Sequence, residues 1–213
     1  MPKYFPCFTD VEAHHILVFG GDAHALAKVK KLLAYAPCIT VVSPAPCKEL
    51  IALQKEGKIN TVCRDLTECE EILDEFSPKL VFVTQADPPY DAAVFSACRA
   101  RKIEINTEDK PRYCTFIFPS LIQRGALTVA IGTGGASPAV AKKLREELET
   151  SLPDAIEDIL DWLASLRPSL QSDPSVPRER RAALWRALAD RAFLLNRPLQ
   201  EAETLAVIEH YRA

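Results

Sequence analysis

Residues 16–44 read ILVFGGDAHALAKVKKLLAYAPCITVVSP, and this stretch decides the fold class. An apolar run over residues 15–19 ends in Gly20-Gly21. Residues 23–36 then place apolar side chains at 25, 26, 29, 32 and 33, which is one face of a helix. A short β-branched run over 39–42 follows and stops at Ser43-Pro44. Strand, helix and strand in this order make the repeating unit of a parallel sheet.

Working outward, the same alternation continues. Residues 47–56 read as a helix stopped at Gly57, and 59–62 as a strand. Residues 68–76 are helical, and 80–84 (LVFVT) form a near-continuous apolar strand, as expected where both faces are covered. A helix over 91–101 and a short strand over 104–106 complete a doubly wound α/β domain. The pattern then changes. Two β-rich runs, 114–118 and 126–131, flank PSLIQRG and suit an antiparallel pair. Ser137-Pro138 opens a helix, because Ser caps well and Pro suits the first helical position. Beyond residue 153 the chain reads as helices only: 154–166, 178–195 and 199–211, with a proline-rich loop over 168–177. The expected architecture is α/β: a Rossmann-like parallel-sheet domain over 1–113, a mixed α+β segment over 114–152, and an all-helical domain over 153–213.

Composition excludes several classes. The 213 residues are 48% hydrophobic and 26% charged, as in globular proteins, and the net charge of −3 gives no pull toward nucleic acid or anionic membrane. No apolar run reaches the roughly 18–20 residues of a membrane span, and the N-terminus lacks a signal-peptide core. A cytoplasmic location is therefore expected. Seven cysteines at 7, 38, 47, 63, 69, 98 and 114 are odd in number and contain no CxxC, so neither a disulfide framework nor a structural zinc site is expected. No His/Cys/carboxylate cluster has metal-site spacing, and the expected metal set is none. His14, His15 and His210 read as surface residues, while His24 lies in the glycine loop.

That loop carries the first chemical signal. A dinucleotide fingerprint, G-x-G-x-x-G/A, sits between strand and helix so that backbone N–H groups and the helix dipole meet a pyrophosphate. Gly20 fills the first position and Ala25 the last, but Asp22 stands at the middle one. Three readings stay open: a rearranged loop that still binds dinucleotide, an Asp22 that only caps a structural helix, and a different fold. The candidate cofactor contacts are Gly20, Gly21, Asp22, Ala23, Ser43 and Thr84. Ser43-Pro44 stands where an acidic residue would mark NAD, so the sequence does not choose between NAD and NADP.

The second signal is INTEDKPRYCTFIFPSLIQRG followed by LTVAIGTGGASPAVAKKLREELE. The Asn-x-x-Asp turn, the Phe-x-x-Pro-Ser run and the GGxSP loop, with the GGDAHALAKVKKLL start and LVFVTQAD, resemble the precorrin-2 dehydrogenase family, the N-terminal module of siroheme synthases. The resemblance covers essentially the whole chain. It implies NAD(P)-dependent oxidation of precorrin-2 to sirohydrochlorin, a homodimer paired through the middle segment, and Asp109 as the key acidic residue. A carboxylate beside the hydride acceptor takes a proton or holds developing positive charge. Precorrin-2 carries eight carboxylates, so its site needs donors. Asn106, Lys110, Arg112, Arg124, Thr133, Gly134 and Ser137 are the candidates, although Ser137 equally serves as a helix cap and Asp109 as the start of a DKP turn. With no extension to hold a methyltransferase domain, a stand-alone dehydrogenase is expected.

Two alternatives keep Asp22 in view. One is a sirohydrochlorin chelatase that keeps Asp109 and has lost the redox cofactor. The other is a non-catalytic tetrapyrrole-binding homodimer. The expected partners are the small-molecule tetrapyrrole and a second copy, with neither nucleic acid nor membrane.

Overall fold

The computed structural model describes residues 4–84 and 88–212. Two compact units divide the chain between Phe118 and Pro119. In the first, β1 (Ile16–Phe19), β2 (Ile39–Val42), β3 (Asn60–Val62), β4 (Leu80–Val83) and β5 (Glu104–Thr107) form one parallel sheet in the order β3-β2-β1-β4-β5. The helices α1 (Ala23–Leu32), α2 (Lys48–Lys55), α3 (Cys69–Phe76) and α4 (Pro88–Ala100) connect the strands. Strand order reverses between β1 and β4. Open α/β sheets bind their ligands at that place, beyond the carboxyl ends of the strands.

Period-two alternation explains why the central strands are apolar throughout. Leu17, Phe19, Val81 and Val83 join Ile72, Leu73, Val94 and Ile105 in one core. Ile16, Val18 and Phe82 join Ala25, Val29, Leu32 and Leu50 in another. Each strand thus feeds two cores, one per face. His15, expected at the surface, is half-buried instead. Its Nε2 lies 2.8 Å from Thr40 Oγ1 and its ring meets Phe76 edge-on, and burial pushes its pKa down.

The second unit holds an antiparallel hairpin, β6 (Ser120–Arg124) and β7 (Leu127–Ile131), then α5 (Pro138–Ser151), α6 (Ile156–Ser172), α7 (Arg178–Leu195) and α8 (Glu201–Tyr211). Leu170, Val176, Leu184, Leu188, Leu199 and Ile208 form the core of the helical part. Among the described residues no helix is long and apolar enough to cross a membrane.

Two further expectations are corrected. The run 114–118 is not a strand of the hairpin. Phe116 and Phe118 stack edge-on against Phe82, at 5.4 and 5.6 Å, and Thr115 exchanges hydrogen bonds with Ile105. That segment closes the first unit, and the strand starts six residues later than the β-rich run, at Ser120. The loop expected over 168–177 is shorter, because α6 continues through Pro168 to Ser172. Proline there removes one backbone donor, but it lies on the exposed side, where water serves the orphaned carbonyl. Burying Leu170 two residues on favours the extra turn.

Candidate active site

The β1–α1 loop is drawn tightly onto the next crossover. Gly20 adopts φ 137°, a conformation open to glycine, and its N–H donates to Val42 O at 3.0 Å. Gly21 O accepts from Cys47 N–H at 2.7 Å. A Cβ on Gly21 would stand 2.2 Å from Ser43 Oγ and 2.8 Å from Ala45 O. Ser43 is buried and its hydroxyl accepts from Ala45 N–H at 3.2 Å. Asp22 is the N-cap of α1. Its Oδ1 accepts from the N–H groups of His24 and Ala25, both at 3.1 Å. Ala25 is fully buried, the small residue on which α1 approaches the sheet. Ala23 is exposed in the first turn.

The strand ends on the other side of the switch point are stitched together. Thr84 donates to Phe19 O through its N–H at 2.9 Å and its hydroxyl at 3.3 Å. Glu108 N–H donates to Val83 O at 2.9 Å. The next residue, Asp109, is exposed on left-handed backbone at φ 55°, which aspartate tolerates better than most residues. The turn beneath it is fixed from three directions. Thr107 donates its hydroxyl to Tyr113 O at 3.0 Å. Cys114 Sγ accepts from Thr107 N–H at 3.2 Å, and its S–H points to the carbonyls of Thr107 and Lys110. Lys110 Nζ pairs with Asp91, a carboxylate with 1% exposure in the first turn of α4. Burial pushes the Cys114 thiol up, and its bonds to Thr107 and Lys110 make it a fastener of the turn.

His24 Nδ1 lies 3.5 Å from Glu108 Oε2, so the loop of Asp22 and the turn of Asp109 meet at the carboxyl end of the sheet. Lys28, one turn further along α1, sends its ammonium 4.4 Å from the centre of Phe118 and 5.6 Å from that of Phe82. Burial lowers its pKa against the opposing pull of Glu108.

The remaining candidates are divided between the units. Asn106 is buried and donates its amide to Phe116 O at 3.1 Å, which fixes the segment after the turn. Arg112 is exposed with its guanidinium 4.7 Å over Tyr113. In the second unit Arg124 donates to Glu157 at 2.9 Å and to Asp154 O at 2.8 Å, bracing the start of α6. Ser137 caps α5 by accepting from Val140 N–H at 3.3 Å. Thr133 donates to Ser137 O and accepts from Ser137 N–H, and Gly134 completes the loop at φ 62°. Sequence reasoning missed Lys28, Asp91 and Glu108. A lysine on the same helical stripe as Ala25 and Leu32 was the one available sign.

Residues 7–120, more than half of the chain, match the family model described as "Putative NAD(P)-binding", and residues 124–151 match that described as "Sirohaem biosynthesis protein central". The chain belongs to the first of these, the NAD(P)-binding family. Among similar proteins, the siroheme synthase of Pseudoalteromonas translucida is 32% identical over 79% of the chain and 35% of its own length. Siroheme synthase 1 of Yersinia enterocolitica is 34% identical over 94% of the chain and 42% of its own length. The chain thus spans about two fifths of the curated relatives it matches. A solved structure titled SirC, precorrin-2 dehydrogenase, has a TM-score of 0.72 over 98% of both chains at 21% identity, so the two share a fold.

Proposed function

We propose that the chain oxidises precorrin-2 to sirohydrochlorin with a nicotinamide dinucleotide as hydride acceptor. One observation carries this reading: an exposed Asp109 carboxylate, held on left-handed backbone at the carboxyl end of β5, next to the switch point of an NAD(P)-binding-family sheet. The loop is suited to a dinucleotide at Gly20 and Gly21, which bring bare backbone to the start of α1, and Ala23 and Thr84 border the same carboxyl end of the sheet. Asp22 takes two first-turn N–H groups for itself, so the loop offers a phosphate fewer donors than a glycine there would. When bound, the nicotinamide accepts the hydride. The matching proton leaves the macrocycle, and Asp109 accepts it or steadies the cationic ring as it forms. Glu108 and Cys114 act on the backbone around Asp109, and the Lys110–Asp91 pair holds the turn onto α4. NAD is favoured over NADP. Cys63 packs on Pro44 at the β2 end, and the adjacent Arg64 is held by Glu68, Glu71 and Glu75, an acidic setting for a 2′-phosphate. The same reading has the enzyme act as a cytoplasmic homodimer.

Asp109→Asn tests it, since Asn keeps the left-handed turn and removes the charge. Anaerobic assays with precorrin-2 and NAD⁺ should show kcat lower by about 10²–10⁴, the range for a lost acid or base, with the thermal midpoint unmoved. Normal turnover by this variant refutes the assignment of Asp109. A folded wild type that reduces neither NAD⁺ nor NADP⁺ with precorrin-2 refutes the dehydrogenase.

A further inference from the structure

Of the three lysines on α1, Lys30 and Lys31 lie exposed in the last turn, where cations suit the helix dipole. Lys28 differs. It is half-buried, and its ammonium rests over the faces of Phe118 and Phe82. Among the described residues no carboxylate or carbonyl lies within bonding distance of its Nζ, so its three N–H donors meet ring faces and solvent and no protein acceptor. The charges it feels most are Glu108 and Lys31, then Cys114 and Asp109. Burial outweighs the acidic ones and disfavours its charged form. For folding alone, Met at this position would pack on the same two rings without desolvating a charge. An unpaired ammonium kept at such a cost beside an acidic turn is the mark of a ligand contact.

The ligand's chemistry follows from where the head is held. A pyrophosphate belongs at the N-terminus of α1, and Lys28 stands six residues past the cap, about 9 Å along the axis. Its head is over Phe118 and Phe82, and Phe82 lies on β4, to whose end the Asp109 turn is tied by Glu108 N–H to Val83 O. We propose that Lys28 binds a carboxylate arm of the tetrapyrrole, anchoring the macrocycle beside Asp109. This rests on the dehydrogenase reading and adds a residue of substrate recognition to it.

The experiment uses the full chain with Lys28→Met and Lys28→Arg, titrated separately with the octacarboxylate sirohydrochlorin and with NAD⁺. Lys28→Met should raise the sirohydrochlorin Kd by about ten- to a hundredfold, as expected for a lost charge-assisted hydrogen bond. Its NAD⁺ Kd should stay within about twofold of wild type, because no phosphate contact is removed. Its thermal midpoint should hold or rise, and the salt dependence of sirohydrochlorin binding should flatten. Lys28→Arg should restore most of the affinity. In turnover, KM for precorrin-2 should rise more than kcat falls. Unchanged sirohydrochlorin affinity with a lowered midpoint would make Lys28 a cation–π strut and overturn the proposal, leaving the dehydrogenase standing. A selective loss of NAD⁺ affinity would overturn it in favour of a dinucleotide contact. A wild type that binds NAD⁺ but not sirohydrochlorin overturns the proposal and the tetrapyrrole reading together.

Discussion

Gly21→Ala is the sharpest perturbation of the nucleotide loop, and its cost is read from three contacts. The new methyl would lie 2.2 Å from Ser43 Oγ, 2.9 Å from Ser43 Cβ and 2.8 Å from Ala45 O, where unstrained contacts need about 3.5 Å. Rotating Ser43 removes the first overlap but gives up the bond from Ala45 N–H, roughly 1 kcal/mol. The other two involve Cβ and backbone, so the loop itself must move, stretching the 2.7 Å bond from Cys47 N–H to Gly21 O. Overpacking of this kind costs about 1–3 kcal/mol. The total, about 2–4 kcal/mol, corresponds to a midpoint lower by roughly 5–15 °C for a chain of this size. Circular dichroism melts give the stability arm, and NAD⁺ titration calorimetry the binding arm, where affinity should fall as the loop leaves the crossover. The companion Ser43→Gly removes two of the three overlaps and should recover about half of the lost midpoint in the double variant. A drop of less than about 2 °C in the single variant, or no recovery in the double, would show that the loop does not rest on Ser43.

Asp22→Asn keeps an N-cap and removes a charge from the start of α1; NAD⁺ Kd should fall up to about tenfold, and Asp22→Gly should do the same at a cap cost of a few tenths of a kcal/mol, whereas unchanged calorimetric affinity in both means no phosphate comes near. Val140, Leu144 and Leu148 are exposed at 50%, 41% and 43% along one stripe of α5, so Leu144→Glu should shift sedimentation from dimer to monomer; a wild type already monomeric at micromolar concentration removes the basis for pairing there. Arg197 and the Gln200 N–H hold Glu203's carboxyl down to about 2, so its contribution to stability is complete above the ordinary glutamate value and is lost as pH falls from about 4.5 toward 2. Glu203→Gln should flatten the acid limb of unfolding in that window, followed by Trp185 fluorescence, and an identical limb would show that the pair is idle.

The parallel sheet was legible because its strands are self-declaring. Ile16–Phe19 and Leu80–Val83 are apolar at every position, a pattern that follows from burial on both faces. The α1 face was legible from spacing, with Ala25, Val29 and Leu32 buried as read. Residues 114–118 misled because their aromatic run has strand composition, while their partner, Phe82, is more than thirty positions away. Pro168 misled because a proline signals a boundary locally, and only the packing of Leu170 overrides it. Within the site, Asp22's role as a cap was among the readings open from residue type. Asp109 was reached through resemblance, since a lone DKP turn has no distinctive chemistry. Lys28 and Asp91 stayed hidden because their neighbours are set by the register of β4 against β5 and by the path of the chain after Thr107.

The turn of the hairpin has a consequence for how the second unit opens. Gly125, at φ 55°, sits so near α6 that an added Cβ would lie 3.2 Å from Glu157 Cγ, and the neighbouring Arg124 grips the same glutamate. At the far end of the helical part, Asn196 Oδ1 accepts from Ala155 N–H just before α6 begins. The first turn of α6 is thereby latched to the hairpin on one side and to the α7–α8 corner on the other. Fraying at the start of α6 releases both latches at once. The backbone amides of Gln123 to Leu127 and those around Asn196 therefore share one opening event and exchange their protons with solvent on a common clock, although some seventy residues separate them along the chain.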